Sequence, residues 1–342
     1  MQNKFIITLL GYNNGSGNTC WYPWNKFNDV FKHYEYEVEW NTIDKIKKSD
    51  KPRVFITWNQ PDAIDIVQAD IYNKNKDIIL QKVVGDSPRF ENLDWGKTYE
   101  ETENRFYNHN FLDYQMVLDL YKNGHNIYAF GAKTSNTNTP IKKTICDSLG
   151  DRMIMIPWGS CLFDYKEIQE AKPITSGFLY DIGYVGSIWN IKNRGNRNNI
   201  ERYLKLFANS RPPNRVIVTG DGTGRARVDN QAHKEILKKS KICPIINSDS
   251  WKIMGGVQDR FWSVFASGRF GVADTEGVYE FYNKDEVVVC TDPNEYYLKS
   301  HYYLNNIDKQ IPFIEKALKR IKSEYNYYNT WKKILSKLGD TL

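Results

Sequence analysis

The segment MGGVQDRFWSVFASGRFGVAD occupies residues 254–274. Its aromatic run DRFWSVFAS has helical spacing, Gly268 suits a helix stop, and RFGVAD is a short apolar run closing on Asp274. A helix, one glycine and a strand in immediate succession describe half of a parallel βαβ unit. Ahead of the helix, the amides of Gly255 and Gly256 can face an anion. The helix beginning near Gln258 points its positive dipole end at the same spot, and Arg260 adds a full charge there. The segment therefore reads as an anion site at a strand edge. The competing reading makes Arg260 one partner of a surface salt bridge.

Outward from it, short β-type runs alternate with longer helical patterns, which predicts α/β architecture with parallel sheets. The strands expected before residue 158 are KFIITLL, EYEVEW, RVFITW, DIILQKVV, NIYAFG and RMIMIPW. Those after it are YDIGYVG, RVIVTG, ICPIIN, RFGVAD and EVVVC. Pro157, Gly159, Pro173 and Gly177 break the chain between the two sets. The expected division is an N-terminal domain over 1–158, a hinge over 159–178, a second domain over 179–311, and a single long C-terminal helix within 312–342. A chain of 342 residues also exceeds one ordinary core and suits two domains of about 150 residues.

Composition narrows the function classes. Hydrophobic content of 41% with 14% aromatics is globular, which excludes wholesale disorder. No run approaches the roughly 18 apolar residues of a membrane span, and KFIITLL reads as a first strand, not a signal peptide. The cysteines at 20, 146, 161, 243 and 290 are odd in number and lack a CxxC pair, and the five histidines are scattered. No metal cluster or disulfide framework is expected, and a cytoplasmic setting is the default (host cytoplasm if the chain is viral). The net charge of +6 suits an anionic ligand or polymer, and equally suits a solvated basic surface.

In open parallel sheets, ligands bind beyond the carboxyl ends of the strands, so the loops that follow strands carry the candidates. After the first strand, the GSGN run containing Gly17 can bring backbone N–H groups to a ligand, or can be a plain glycine-rich connection. It lacks both the GxGxxG spacing and the P-loop Gly-Lys-Ser/Thr. In GYVGSIWNIKNRGNR, Gly186 and Ser187 follow a strand, and Arg194 and Arg197 are suited to bidentate diphosphate contact. Between Lys192 and Arg227 there are nine Lys or Arg and two acids; for Arg211 and Arg215 a solvated basic face is the plain alternative. Gly220, Asp221 and Gly222 form a tight turn where a flat ring could lie on backbone. PIINSD then ends a buried strand with polar residues at the same edge.

These features resemble the GT-B class of nucleotide-sugar glycosyltransferases: a first α/β domain, a hinge after IPWG, a GYVGS strand–loop, and a Gly-Gly…Arg helix followed by ASG and VAD. DRFWSVFASGRFGVAD is similar to the R-x-F-E-x-x-A-x-G segment of spore-maturation (CgeB-like) and group 1 glycosyltransferases. The resemblance implies two Rossmann-like doubly wound domains facing across a cleft, with the C-terminal helix crossing back to the first domain. It also implies a nucleotide sugar, on balance a UDP-sugar, as co-substrate with no cofactor required. The family's Glu that grips the donor ribose is replaced at the matching position by Ser263, and Glu276 or Glu280 could compensate. RFWSVFAS is also similar to the Arg-x-Trp helix ending in Ala-Ser of bacteriophage DNA glucosyltransferases. In that group a catalytic aspartate follows a strand of the first domain, and Asp86 stands at the comparable place.

The resemblance implies that Arg197, Arg260 and helix N-termini neutralise the donor diphosphate in place of a metal. An inverting transfer needs a base for the acceptor hydroxyl proton: Asp86, with His109 or Asp113 behind it. A retaining transfer needs none, and Asp86 beside Ser87-Pro88 would then be a turn cap. Three functions stay open: sugar transfer to hydroxymethylated bases of duplex DNA, transfer in surface-glycan or lipid-linked sugar synthesis, and an inactive sugar-nucleotide-binding module.

Overall fold

The computed structural model describes residues 4–11, 21–57, 63–83, 115–132, 147–157, 159–188, 196–210, 213–220, 223, 228–248, 252 and 257–340. The chain forms two units: Met1–Lys133, Thr137–Pro157 and Tyr327–Leu342 make the first, and Trp158–Asn326 with Thr134–Asn136 the second.

The first unit holds β1 (Ile6–Leu10), β2 (Glu37–Asn41), β3 (Arg53–Thr57), β4 (Ile78–Lys82), β5 (Ile127–Ala132) and β6 (Met153–Ile156). They form one parallel sheet in the order β2-β1-β3-β4-β5-β6. Every residue of β1, β3 and β4 is buried. Strands covered on both faces cannot alternate, so they read as continuous apolar runs. Edge strand β2 is partly exposed and carries Glu37 and Glu39. Helices α1 (Trp21–His33), α2 (Ala63–Gln68) and α3 (115–122) belong to this unit.

In the second unit, β7 (Tyr180–Val185), β8 (Val216–Thr219), β9 (Ser240–Ile245), β10 (Phe270–Ala273) and β11 (Val288–Val289) pair in parallel in the order β11-β10-β9-β7-β8. The order reverses between β7 and β9, which makes their carboxyl ends the topological switch point. The helices are α4 (Tyr165–Glu170), α5 (Arg197–Ala208), α6 (Asn230–Lys238), α7 (Asp259–Ala266), α8 (Pro293–Asn305) and α9 (Ile311–Ser323). Helix α4 falls inside the stretch expected to be hinge. Asp164 starts it by accepting from Glu167 N at 2.8 Å, while the Glu167 carboxylate accepts from Asp164 N at 2.9 Å.

The expected single C-terminal helix is two. Glu324–Asn326 separates α9 from α10 (Tyr327–Gly339), and Asn326 Nδ2 caps the end of α9 by donating to Ile321 O at 2.7 Å. Helix α9 buries Ile314 and Leu318 in the core of the second unit. Helix α10 crosses back to the first unit, as the resemblance implied. There Trp331 is fully buried edge-on to Phe27, Phe31 and Phe130 at 4.8, 5.0 and 5.8 Å.

Candidate functional site

Helix α7 brings Arg260 to the switch point of the second sheet. The helix ends as its glycine demanded: Gly268 takes φ +73°, with Gly268 N donating to Phe265 O at 3.0 Å and Arg269 N to Val264 O at 3.4 Å. From the first turn, Arg260 Nε donates to Val185 O at 3.0 Å and one terminal nitrogen to Ile246 O at 2.9 Å. One guanidinium thereby joins the carboxyl ends of β7 and β9. It also lies 4.1 Å over the Tyr184 ring.

Two predicted glycines make this approach possible. A Cβ on Gly186 would stand 2.0 Å from the second terminal nitrogen of Arg260, and a Cβ on Gly220 would stand 2.4 Å from Gly186 O. Gly186, Gly220 and Arg260 are therefore one packed group at the carboxyl ends of β7 and β8. Ser187 follows, and its carbonyl accepts from Asn196 Nδ2 at 2.8 Å, which ties the N-terminus of α5 to the loop after β7. Arg197, the first residue of α5, donates to Glu201 at 3.3 Å and is half-exposed at the same edge.

Asn247 organises the next loop. Asp274 Oδ1 accepts from its backbone N at 3.0 Å and its Nδ2 at 3.2 Å; its Oδ1 accepts from Gln258 N at 3.2 Å, and its carbonyl from Asn199 Nδ2 at 3.1 Å. Asp274 Oδ2 lies 2.6 Å from Lys252 Nζ. Burial raises the Asp274 pKa, opposed by Lys252 and then by the Asn247 donors. Nearby His233 on α6 is lowered to about 4, first by burial and then by the Arg260 charge.

Ser263 is placed otherwise than the family pattern implied. It is fully buried, 2.8 Å from Ser160 Oγ and 3.4 Å from Asp259, which accepts in turn from Cys161 N at 3.0 Å. Those bonds fasten residues 160–161 to α7 and leave no hydroxyl surface for a ribose. Glu276, two residues beyond Asp274, and Glu280 are both exposed. Asp86, Gly17, Arg194, Asp221, Gly222, Gly255 and Gly256 lie outside the described residues, as do His109 and Asp113.

The structure thus gathers Gly186, Ser187, Arg197, Gly220 and Arg260. Sequence reasoning missed Tyr184, Asn196, His233, Asn247, Lys252 and Asp274 as individual residues. For Asn247 and Asp274 the available signal was their position, since PIINSD and GVAD each end a buried strand on a polar side chain. Among the described residues no group of three or more His, Cys, Asp or Glu could hold a metal ion, and no helix is long and apolar enough to cross a membrane.

Residues 195–336 match the family model described as glycosyl transferase-like. No curated protein matches the chain. Among solved structures, T4 phage BGT in complex with its UDP-glucose substrate is similar with a TM-score of 0.54 at 11% identity, over 97% of this chain and 98% of that one. Anabaena Alr3699/HepE in complex with UDP-glucose gives 0.54 at 10% identity, over 98% and 99%. An alpha-glucosyltransferase in complex with UDP and a 13-mer DNA containing an HMU base gives 0.51 at 10% identity, over 98% and 99%. The fold is GT-B, as the resemblance implied, and residues 195–336 carry the likeness to glycosyl transferases that the expected enzyme class called for.

Proposed function

We propose that the chain moves a sugar from a nucleotide-sugar donor, a UDP-sugar in the leading reading, to an acceptor hydroxyl on a hydroxymethylated base of duplex DNA. The observation that carries the donor side is the Arg260 guanidinium joined to both strands of the switch point, with Gly186 against it. An anionic diphosphate meets there a fixed charge, the N-terminus of α5 and Arg197. These groups stabilise the negative charge that grows on the departing nucleotide. Exposed Glu276 takes over the ribose contact that buried Ser263 does not offer. In this reading residues 179–311 hold the donor and residues 1–158 the acceptor, with Asp86 as base if transfer inverts.

The DNA acceptor draws support from the alpha-glucosyltransferase solved with a 13-mer DNA containing an HMU base, similar over nearly the whole chain. The net charge of +6 agrees with a polyanionic acceptor. The test is a transfer assay with UDP-glucose and a panel of other nucleotide sugars, on duplex DNA with and without hydroxymethylated bases. Expected is transfer that requires the hydroxymethyl group and weakens steeply with salt. In the same assay, Asp86→Asn should retain donor binding and lose transfer by roughly a hundredfold. Donor hydrolysis without transfer to any DNA would overturn the acceptor assignment and favour a glycan acceptor.

A further inference from the structure

His233 is the titratable group at this edge that the donor reading leaves without work. Its Nε2 is buried and has no hydrogen-bond partner among the described residues. Its position follows from the helix that carries it. Ile236 of α6 packs over Gly183, since a Cβ there would stand 3.6 Å from Ile236 Cγ2. His233 lies three residues earlier on the same helix face, about 4.5 Å along the axis. A helix returning between parallel strands runs against them, so this step leads towards Val185, whose carbonyl holds Arg260 Nε at 3.0 Å. The imidazole thus lies towards the edge that holds the guanidinium, within reach of its charge.

The other charges around α6 are engaged elsewhere. On α6 itself, Lys234 is 2.6 Å from Glu167 of α4, and Asp229 caps the first turn through Ala232 N. Glu235 is exposed on the outer side, and Lys238 and Lys239 stand at the far end. On β7, Asp181 at the amino end pairs with Arg215 and with Lys241 of β9. Tyr184 lies beneath Arg260. The ionised group that acts on His233 is Arg260.

We propose that His233 is a positioning residue for Arg260, uncharged in the free protein, and that its imidazole takes a proton from solvent when a diphosphate docks against the guanidinium. The proposal rests on the reading of this edge as the donor site. Without ligand, burial first and then the Arg260 charge lower His233 to about 4, so a second positive charge beside the guanidinium is opposed. A bound diphosphate reverses the sign of the local field, and the complex then holds a proton that the free protein lacks. The linkage sign follows: donor affinity rises as pH falls through the value His233 has in the complex. It levels off below about 4, where the free protein is protonated too.

The probe is UDP-glucose, whose doubly esterified diphosphate does not titrate near neutrality, so any proton exchanged comes from the protein. Calorimetry in buffers of different ionisation heat should show uptake of a sizeable fraction of one proton per UDP-glucose near pH 6, with Kd tightening roughly three- to tenfold from about pH 7.5 to pH 5.5. His233→Gln keeps much of the volume and cannot be protonated, so uptake should vanish and Kd should become flat with pH. Binding without proton uptake in the wild type, or uptake that persists in His233→Gln, overturns the proposal while leaving the donor site standing. Failure of every nucleotide sugar to bind overturns the donor-site reading and this proposal with it. If the Gln variant does not fold, the wild-type His233 ring resonance decides. A titration midpoint raised by UDP-glucose supports the proposal, and an unmoved one overturns it.

Discussion

Arg260 and Arg269 bracket α7, and the difference between them separates the residue proposed for the donor site from a structural one. Arg269 is fully buried and donates to the carbonyls of Ile174, Ser240 and Lys241, so its guanidinium clamps loop to strand. Arg260 gives two nitrogens to carbonyls and stays partly exposed at the switch point. Replacing it with Ala should lower donor kcat/KM roughly a hundredfold, the worth of a charge-assisted contact of about 2–3 kcal/mol. Gly186→Ala should act on the same step, because its Cβ would occupy the place of the Arg260 terminal nitrogen. Steady-state kinetics with varied donor checks both, and wild-type efficiency in Arg260→Ala would end the anion-site reading. Arg260 was legible in the sequence because glycines and a helix start surround it locally. His233 was not, since its nearness to Arg260 arises only when α6 folds back over β7. Ser263 misled for a related reason: its place in the motif was right, but the hydroxyl turns inward to Ser160, 103 positions away in sequence.

At the scale of elements, the strands were legible almost without remainder, because buried parallel strands are short apolar runs bounded by polar loops. The C-terminal break was hidden. Apolar residues continue at helical spacing through Ile314, Leu318 and Ile321 and again through Tyr328, Trp331 and Leu335, and Ser323–Asn326 contains neither Gly nor Pro. Only Asn326, folding its amide back onto Ile321 O, marks the turn. Helix α4 was overlooked because one short turn inside a proline- and glycine-punctuated stretch gives too few residues for a period. Helix α10 buries Tyr327, Tyr328, Ile334, Leu335 and Leu338 with Trp331, the largest of them. Trp331 fills the space between α1 and β5 through Phe27, Phe31 and Phe130. Truncation to Ala leaves a cavity there and should cost about 3–5 kcal/mol. Denaturant unfolding of Trp331→Ala should show that loss as a lower midpoint. A midpoint close to that of the wild type would mean that α10 adds little to the stability of the first unit.

For the molecule as a whole, the proposed transfer turns on what neutralises a departing nucleoside diphosphate. The second unit supplies fixed positive potential from its own backbone and side chains: the Arg260 guanidinium, Arg197, and the N-terminus of α5 held by Asn196 to Ser187 O. Among the described residues, Asp274 is already committed to Asn247 and Lys252, and Glu201 to Arg197. Carboxylates so committed are a poor start for a divalent-cation site, which needs several oxygen ligands. Charge stabilisation by preorganised donors requires no exchangeable ion. Transfer should therefore persist after dialysis against a chelator, within about threefold of the untreated rate, a difference below about 0.7 kcal/mol in the barrier. The assay compares initial rates of the chelator-treated protein with and without added magnesium or manganese. Complete loss of transfer, restored by either ion, would mean that the diphosphate is held through carboxylates beyond the described residues. The arginine-centred account of the leaving group would then have to be abandoned.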